Sequence, residues 1–260
     1  GKLNSSISHY KRDVCLVMLL WLVIVLLYAT MKLNGLKTLL SVAVNFVVFL
    51  IFVQLDVMLN LTHFFWLFAA AAFIFTILSL WLVIGFNKQW FVTCASVVSG
   101  TVIALLIGLI AMNVTNGKGV HYEALDYATQ SPKQLFLAAT VIGLLGTVMD
   151  AATDIVSTLF EMKRTDEKIS ERQLFKSGMA VGRSIMGPLI NVLLMIFFAE
   201  TFTMAILYFK TGNSIAYTFE WTMALGIVQT LVSGIGVTLV IPCASFLSAK
   251  VLGGAQDVND

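Results

Sequence analysis

The sequence predicts an all-α, polytopic membrane protein, and this prediction depends on its composition and on the pattern of its apolar residues. Hydrophobic residues make up 59% of the 260 residues and charged residues only 12%, and the mean hydropathy is +0.93. A soluble domain carries about a quarter charged residues, so this chain has too little polar surface to cover a globule in water. The apolar residues also form stretches long enough to cross a bilayer, for which about 20 residues are needed.

About seven transmembrane helices are predicted along the chain. They cover residues 14–31, 36–55, 62–85, 90–113, 134–160, 179–207 and 219–246. Together they form one predicted transmembrane domain over residues 14–247, with an extramembrane tail at residues 1–13 and a cytoplasmic tail at residues 248–260. The links between the helices are too short to hold a soluble domain, so any activity has to reside among the helices or at their ends.

The distribution of Lys and Arg predicts the orientation. With the N-terminus outside, nine basic residues fall on the inner side and six on the outer side; with Arg183 inside the membrane, these account for all 16. Cytoplasmic loops carry the excess of basic residues, so N-out, C-in is favoured. The link at residues 161–178 decides this balance, because it carries Lys163, Arg164, Lys168, Arg172 and Lys176. We expect a multi-pass protein of the cell membrane that has the lipid bilayer as its surroundings.

Several functional classes are disfavoured. The net charge is only +2, and no basic stripe indicates a nucleic acid partner. Cys15, Cys94 and Cys243 lie far apart in apolar stretches, and no histidine has a second ligand at metal spacing. We therefore expect free thiols, no metal site and no cofactor. Neither HExxH nor GxSxG occurs, and the paired aspartates described next share one helix. An enzyme is not expected, and no catalytic residue is assigned.

The fifth predicted helix carries an acidic stripe. At 100° per residue, Asp154, Ser157 and Glu161 all lie within about 40° of Asp150 around the helix axis. Carboxylates at membrane depth are costly, rare and often mark ion or substrate paths. Each can be tolerated if it takes up a proton, shares a cation or faces a basic partner. This stripe is the candidate ion- or substrate-binding site.

The sixth predicted helix supplies polar partners at matching depth. If helices five and six form an antiparallel hairpin, counting about 1.5 Å per residue from their inner ends places Arg183 near the depth of Asp154. The same count places Asn191 near the depth of Asp150. An Asp–Arg pair that only fixes helix register is an open alternative to a functional site.

The start of the sixth helix contains unusual residues for a helix. Gly178, Gly182 and Gly187 lower local helix stability, and Pro188 lacks the amide that would bond the carbonyl of Ser184. These residues predict either a kink or break in the helix or a surface for close helix packing.

The segments around these polar residues resemble the YibE/F-like family. The resemblance is carried by residues 146–152, which read GTVMDAA, with Ser157 and Glu161 after them, and by residues 174–187, which read LFKSGMAVGRSIMG. Residues 34–37 and 84–88 are similar as well. The resemblance implies a bacterial multi-helix membrane protein of the short type. Because long and short members often occur side by side, it also implies a paired membrane subunit of the same family; a homo-oligomer is the alternative.

The chain departs from the family pattern at four positions. Ala180, Ser184 and Pro188 stand where Asn, Asp and Thr are usual, and Asp154 stands where a small or hydroxylated residue is more common. Acidic character has therefore moved from helix six to helix five.

The leading functional hypothesis is a permease or transporter-like component with an acidic site between helices five and six. Asp150 and Asp154 would carry a proton or cation, and Arg183 would act as counter-charge or anion ligand. Ser157 and Asn191 would add neutral hydrogen bonds. The alternative is a membrane scaffold or receptor subunit that transports nothing and works with a paired family member.

Overall fold

The described part of the chain forms a bundle of seven long helices, as the sequence predicts. The computed structural model describes residues 2–59, 64–115 and 132–253, and no strand occurs in these ranges. The helices are α1 Lys2–Met31, α2 Leu33–Leu59, α3 Phe64–Ile84, α4 Lys88–Val114, α5 Pro132–Thr165, α6 Glu171–Lys210 and α7 Ile215–Gly253. Each is long and apolar enough to cross a membrane. Residues 62 and 63 of the third predicted span lie outside the described ranges.

All the helices except α3 are longer than the predicted spans, and local signals mark several helix ends. Ser170 caps α6: its side chain accepts a hydrogen bond from the Gln173 amide, and the Gln173 side chain accepts one from the Ser170 amide. This reciprocal capping box satisfies amides that the first turn leaves unpaired. Gly85 and Gly212 have φ values of +82° and +84° and end α3 and α6. A left-handed backbone of this kind favours glycine.

Helix α7 is the centre of the bundle and packs extensively against α4, α5 and α6. Small residues allow these close approaches. Gly236 of α7 lies against Leu144 of α5, and Val240 lies against Gly100 of α4. Gly182 of α6 lies against Ile241 of α7. Membrane helices lack a hydrophobic force between them, so small residues that let backbones come together are a main source of stability.

Helices α1 and α2 lie at the periphery. Helix α1 packs mainly against α2, and α2 packs mainly against α3; the predicted span Val14–Met31 has no buried residue. A polar cluster joins α2 to α3: Asn45 Nδ2 donates to Ser79 Oγ at 2.6 Å, and the Ser41 and Ser79 hydroxyls are 3.2 Å apart. The outward apolar side chains of these helices suit a lipid environment.

The predicted break in α6 is wrong. The helix is continuous from Glu171 to Lys210, with Pro188 inside it. Pro188 and Gly187 are exposed on the surface of α6, where the proline ring does not have to fit against a neighbouring helix. The other prediction for these glycines, a surface for close helix packing, fits Gly178 and Gly182, because both are buried against α7.

A pair of glycine substitutions tests the α6–α7 contact. Alanine at either position gains about 1 kcal/mol of helix propensity. At Gly182 the added methyl group meets the Ile241 side chain, whereas at Gly187 no other atom lies within 4 Å. We expect Gly182→Ala to unfold more easily than Gly187→Ala, by about 1–3 kcal/mol from overpacking. Unfolding of the purified protein in detergent measures the difference, and equal stabilities would contradict the contact.

Candidate intramembrane polar site

The depth of the two aspartates in a bilayer follows from their positions along α5. Counted at about 1.5 Å per residue from the middle of α5, Asp150 is roughly 2 Å and Asp154 roughly 8 Å toward the predicted inner side. Glu161 is roughly 19 Å from the middle. The hydrocarbon core extends about 15 Å either side of its centre. With α5 centred in the bilayer, both aspartates are therefore within the hydrocarbon and Glu161 is at the headgroups.

The acidic residues point away from the core of the bundle. Asp150, Asp154 and Glu161 are exposed, and we call the surface that they share the acidic face of α5. The opposite side of α5 is fully buried against its neighbours at Leu144, Val148, Ala151, Ala152, Ile155, Val156 and Leu159. The stripe that the sequence predicts is thus one face of the helix, but this face is on the outside of the single chain.

Hydroxyl groups beside Asp154 bond to the backbone. Ser157 Oγ donates to the Asp154 carbonyl oxygen at 3.1 Å, and Thr158 Oγ1 donates to the same oxygen at 2.7 Å. Ser157 is half-buried. Its proton is engaged by the helix, so the hydroxyl oxygen offers its lone pairs to a cation or a donor near the carboxylate.

Arg183 does not pair with the aspartates within the described part of the chain. It is exposed on α6, and the ion pair that is described nearby joins Arg164 Nη1 to Glu161 Oε2 at 3.4 Å. That pair is exposed at the end of α5, and surface pairs of this kind stabilise a protein by about 0–1 kcal/mol. The predicted Arg183–Asp contact is therefore not made inside one chain.

Arg183 and Asp154 nevertheless lie at the same level. A methyl group added to Gly178 of α6 would come within 3.0 Å of Leu159 Cδ1 of α5, so these two residues mark one level of the antiparallel pair. Asp154 is five residues from Leu159, and Arg183 is five residues from Gly178, both toward the outer side. Asn191, also exposed, lies on this count about one turn outward of Asp150, or roughly 5 Å.

An outer pocket between α5, α6 and α7 was not predicted as a site. It has a volume of about 240 Å³ and is lined by Phe136, Glu200, Thr201, Met204, Tyr208, Trp221, Thr222, Leu225, Gly226 and Gln229. Residues Phe219–Met223 at its edge form a π-helical turn, a feature that is frequent at functional sites. The periodicity of the sequence gives no signal for such a turn, and Trp221 by itself is typical of a residue at the membrane–water interface.

Gln229 connects the outer pocket to the acidic face. Its Nε2 donates to the Ala139 carbonyl oxygen of α5 at 3.4 Å and lies 3.0 Å from the place of a Gly143 methyl group. Gly143 is on the arc of α5 that carries Asp150. Gln229 thus brings the lining of the outer pocket into contact with α5 seven residues before Asp150. Among the residues described, no three His, Cys, Asp or Glu side chains are grouped to hold a metal ion.

Comparison with protein families agrees with this architecture. A family model described as YibE/F-like protein matches residues 19–254. The chain belongs to the YibE/F-like family. The resemblance of residues 146–152 and 174–187 is therefore confirmed, and the match includes the acidic face, Ser157, Arg183 and Asn191. No curated protein and no solved structure matches the chain.

Thiol labelling tests the direction of the acidic face in this family member. In a variant with Cys15, Cys94 and Cys243 replaced by alanine, Asp150→Cys and Ala151→Cys place a thiol on adjacent residues. Asp150 is exposed and Ala151 fully buried. Because a buried thiol reacts only through local opening, we expect N-ethylmaleimide to label position 150 at least about tenfold faster in detergent. Similar rates would mean that α5 is rotated from this orientation.

Proposed function

We propose that the chain is a permease-type component of the cell membrane that couples transport to a proton or cation carried by Asp150 and Asp154. The observation that supports the proposal is the position of two carboxylates, one helical turn apart, at hydrocarbon depth and without a described ion pair. A structural role for such a pair would require a partner that neutralises it, and the described chain supplies none.

The energetic cost supports a functional reason for keeping both acids. One aspartate at the centre of a membrane helix costs about 2.5–3.5 kcal/mol on insertion scales. Residues four apart on a helix have Cβ atoms about 5–6 Å apart, so two ionised carboxylates would also repel each other. A shared proton or cation removes both penalties. A site whose two carboxylates are stabilised only when a proton or cation is bound is suited to taking up and releasing that ion.

The order of polar groups along α5 supports entry from one side and exit at the other. Glu200 and Gln229 line the outer pocket, and Gln229 lies against Gly143. The space beside Gly146 is open, and the acidic face continues to Glu161 at the predicted inner end. In this proposal a proton or cation passes from Asp150 to Asp154. Ser157 and Asn191 offer neutral hydrogen-bonding groups, and Arg183 acts as counter-charge or anion ligand.

A scaffold or receptor subunit is the second candidate, and one observation favours it. The acidic face and Arg183 point outward from the single chain, and the span Val14–Met31 contributes no buried residue. Surfaces of this kind are suited to assembly with another membrane protein. A packed assembly in which water never reaches Asp150 would support this function in place of transport.

Asp150→Asn tests the transport proposal. The amide keeps the shape of the carboxyl group but binds no proton and carries no charge. We expect ion flux into proteoliposomes, driven by an imposed membrane potential and followed with a pH-sensitive dye and with Na⁺ or K⁺ as alternative ions, to fall by about tenfold or more. Asp166→Asn is the matched control, because Asp166 is exposed beyond the end of α5.

The two variants must have the same helical content and elution volume for the comparison to hold. Flux that is equal in the wild-type protein and Asp150→Asn would remove the transport proposal. Loss of flux in Asp166→Asn as well would show that the decrease does not come from the intramembrane site.

A further inference from the structure

We propose that a second copy of this chain covers the acidic face of α5, and that Arg183 of one copy meets Asp154 of the other. The inference depends on the exposure and depth of charged side chains and does not require the chain to transport anything. The proposed function places only an ion at the acidic face of α5, whereas this inference also places a second copy of the chain there.

The first step is the exposure of charges of both signs at hydrocarbon depth. Asp150 and Asp154 on α5 and Arg183 on α6 are all exposed, and none is in an ion pair within the described part of the chain. By distance from the helix middles, Arg183 is roughly 11 Å and Asp154 roughly 8 Å toward the predicted inner side, within the hydrocarbon. Charged groups at this depth almost always face protein or water, so lipid alone is a poor cover.

The second step is that the two signs match in level but not in direction. The Leu159–Gly178 contact places Asp154 and Arg183 at one level of the α5–α6 pair. Both side chains are exposed, and they make no ion pair with each other within the described part of the chain. Copies that stand side by side in a bilayer keep the same levels. An arginine of one copy is therefore at the right depth for an aspartate of the next.

The third step is the room on the outer side of the charges. Gly146 precedes Asp150 by four residues and Asp154 by eight, and Gly187 follows Arg183 by four residues. Because α5 and α6 are antiparallel, Gly187 lies about one turn outward of Arg183 and Gly146 about two turns outward of Asp154. Neither has another atom within 4 Å of the place where a methyl group would be. Small residues on open helix faces let two backbones approach closely in a membrane, which an ion pair between helices requires.

A second copy fits these observations better than an unrelated helix, because one chain carries both halves of the contact. An acidic face that meets the Arg183 face of the next copy is a head-to-tail contact, and such contacts can close into a ring. Each copy then has one arginine for two aspartates. Arg183 pairs with Asp154 in this assembly, so the proton or cation of the proposed function is held at Asp150 and reaches Asp154 only when that ion pair opens.

Cross-linking between copies tests the contact. Two differently tagged chains lacking native cysteines are expressed together without other family members, one with Asp154→Cys and the other with Arg183→Cys. A short bifunctional thiol reagent is applied to isolated membranes. We expect a product that carries both tags. The control replaces Asp154→Cys with Val102→Cys, which is exposed near the middle of α4 and is expected to give no such product.

A charge exchange tests the pairing itself. Asp154→Arg and Arg183→Asp each place like charges opposite one another in the copies, so each alone should weaken self-association by about thirtyfold or more. The double variant restores opposite charges and should recover association. Subunit number in native nanodiscs, counted by mass spectrometry, is the measurement. Asp166→Arg is a matched charge reversal outside the membrane and should leave association unchanged.

Each result decides the inference independently of flux. Dual-tag cross-links together with recovery in the double variant support it, even if no ion flux is found. A wild-type chain that remains monomeric, or an oligomer that both single variants leave intact, overturns it. Cross-links to Asp154→Cys that appear only when a different family member is co-expressed also overturn it and assign the acidic face to that partner.

Discussion

The close packing of α7 against α4, α5 and α6 determines how every other part of the bundle is oriented. Gly236 of α7 lies against the Leu144 side chain of α5, and Gly182 of α6 lies against the Ile241 side chain of α7. Such close contacts tolerate little rotation of either helix. Once Leu144 and Val148 face α7, Asp150 and Asp154 have to be on the other side of α5. The exposure of the acids is thus a consequence of small-residue packing several residues away.

The sequence is sufficient for the number and approximate positions of the helices, because twenty apolar residues in a row have few alternatives to a spanning helix. The angular position of Asp150, Asp154 and Glu161 on one face also follows from helical periodicity alone. The direction of that face does not, because all sides of α5 except this stripe are similarly apolar. Which side meets α7 depends on how residues distant in sequence fit together.

Two features of α6 and α7 do not follow from local sequence signals. Pro188 has the chemistry of a helix breaker, but on an exposed surface the ring and the unpaired carbonyl have space, and the helix continues. The π-helical turn at Phe219–Met223 is one extra residue in a turn. Trp221 and Thr222 belong to this turn and line the outer pocket, and neither residue type indicates a π-helical turn. Helical periodicity therefore does not predict the pocket.

Membership of the YibE/F-like family and the geometry of α5 bear on different questions. The family match covers residues 19–254, which include the helical core. Asp154 is one of the departures from the family resemblance, whereas Arg183, Gly146 and Gly187 lie in the segments that carry it. Asp154 and Arg183 are both exposed on the single chain. Those features direct attention to what lies next to the bundle in the membrane.

The order of the helices along the chain has a consequence for how the protein is made. The helix at the centre, α7, follows α4, α5 and α6 in sequence. A ribosome delivers those three helices to the membrane before the helix that packs against all of them exists, so the surfaces that α7 covers in the finished bundle stay open during synthesis. Helices α1–α3 can assemble among themselves meanwhile. The core of the bundle can therefore assemble only after α7 has been inserted. Factors that bind membrane helices before their partners are synthesised would act on α4–α6.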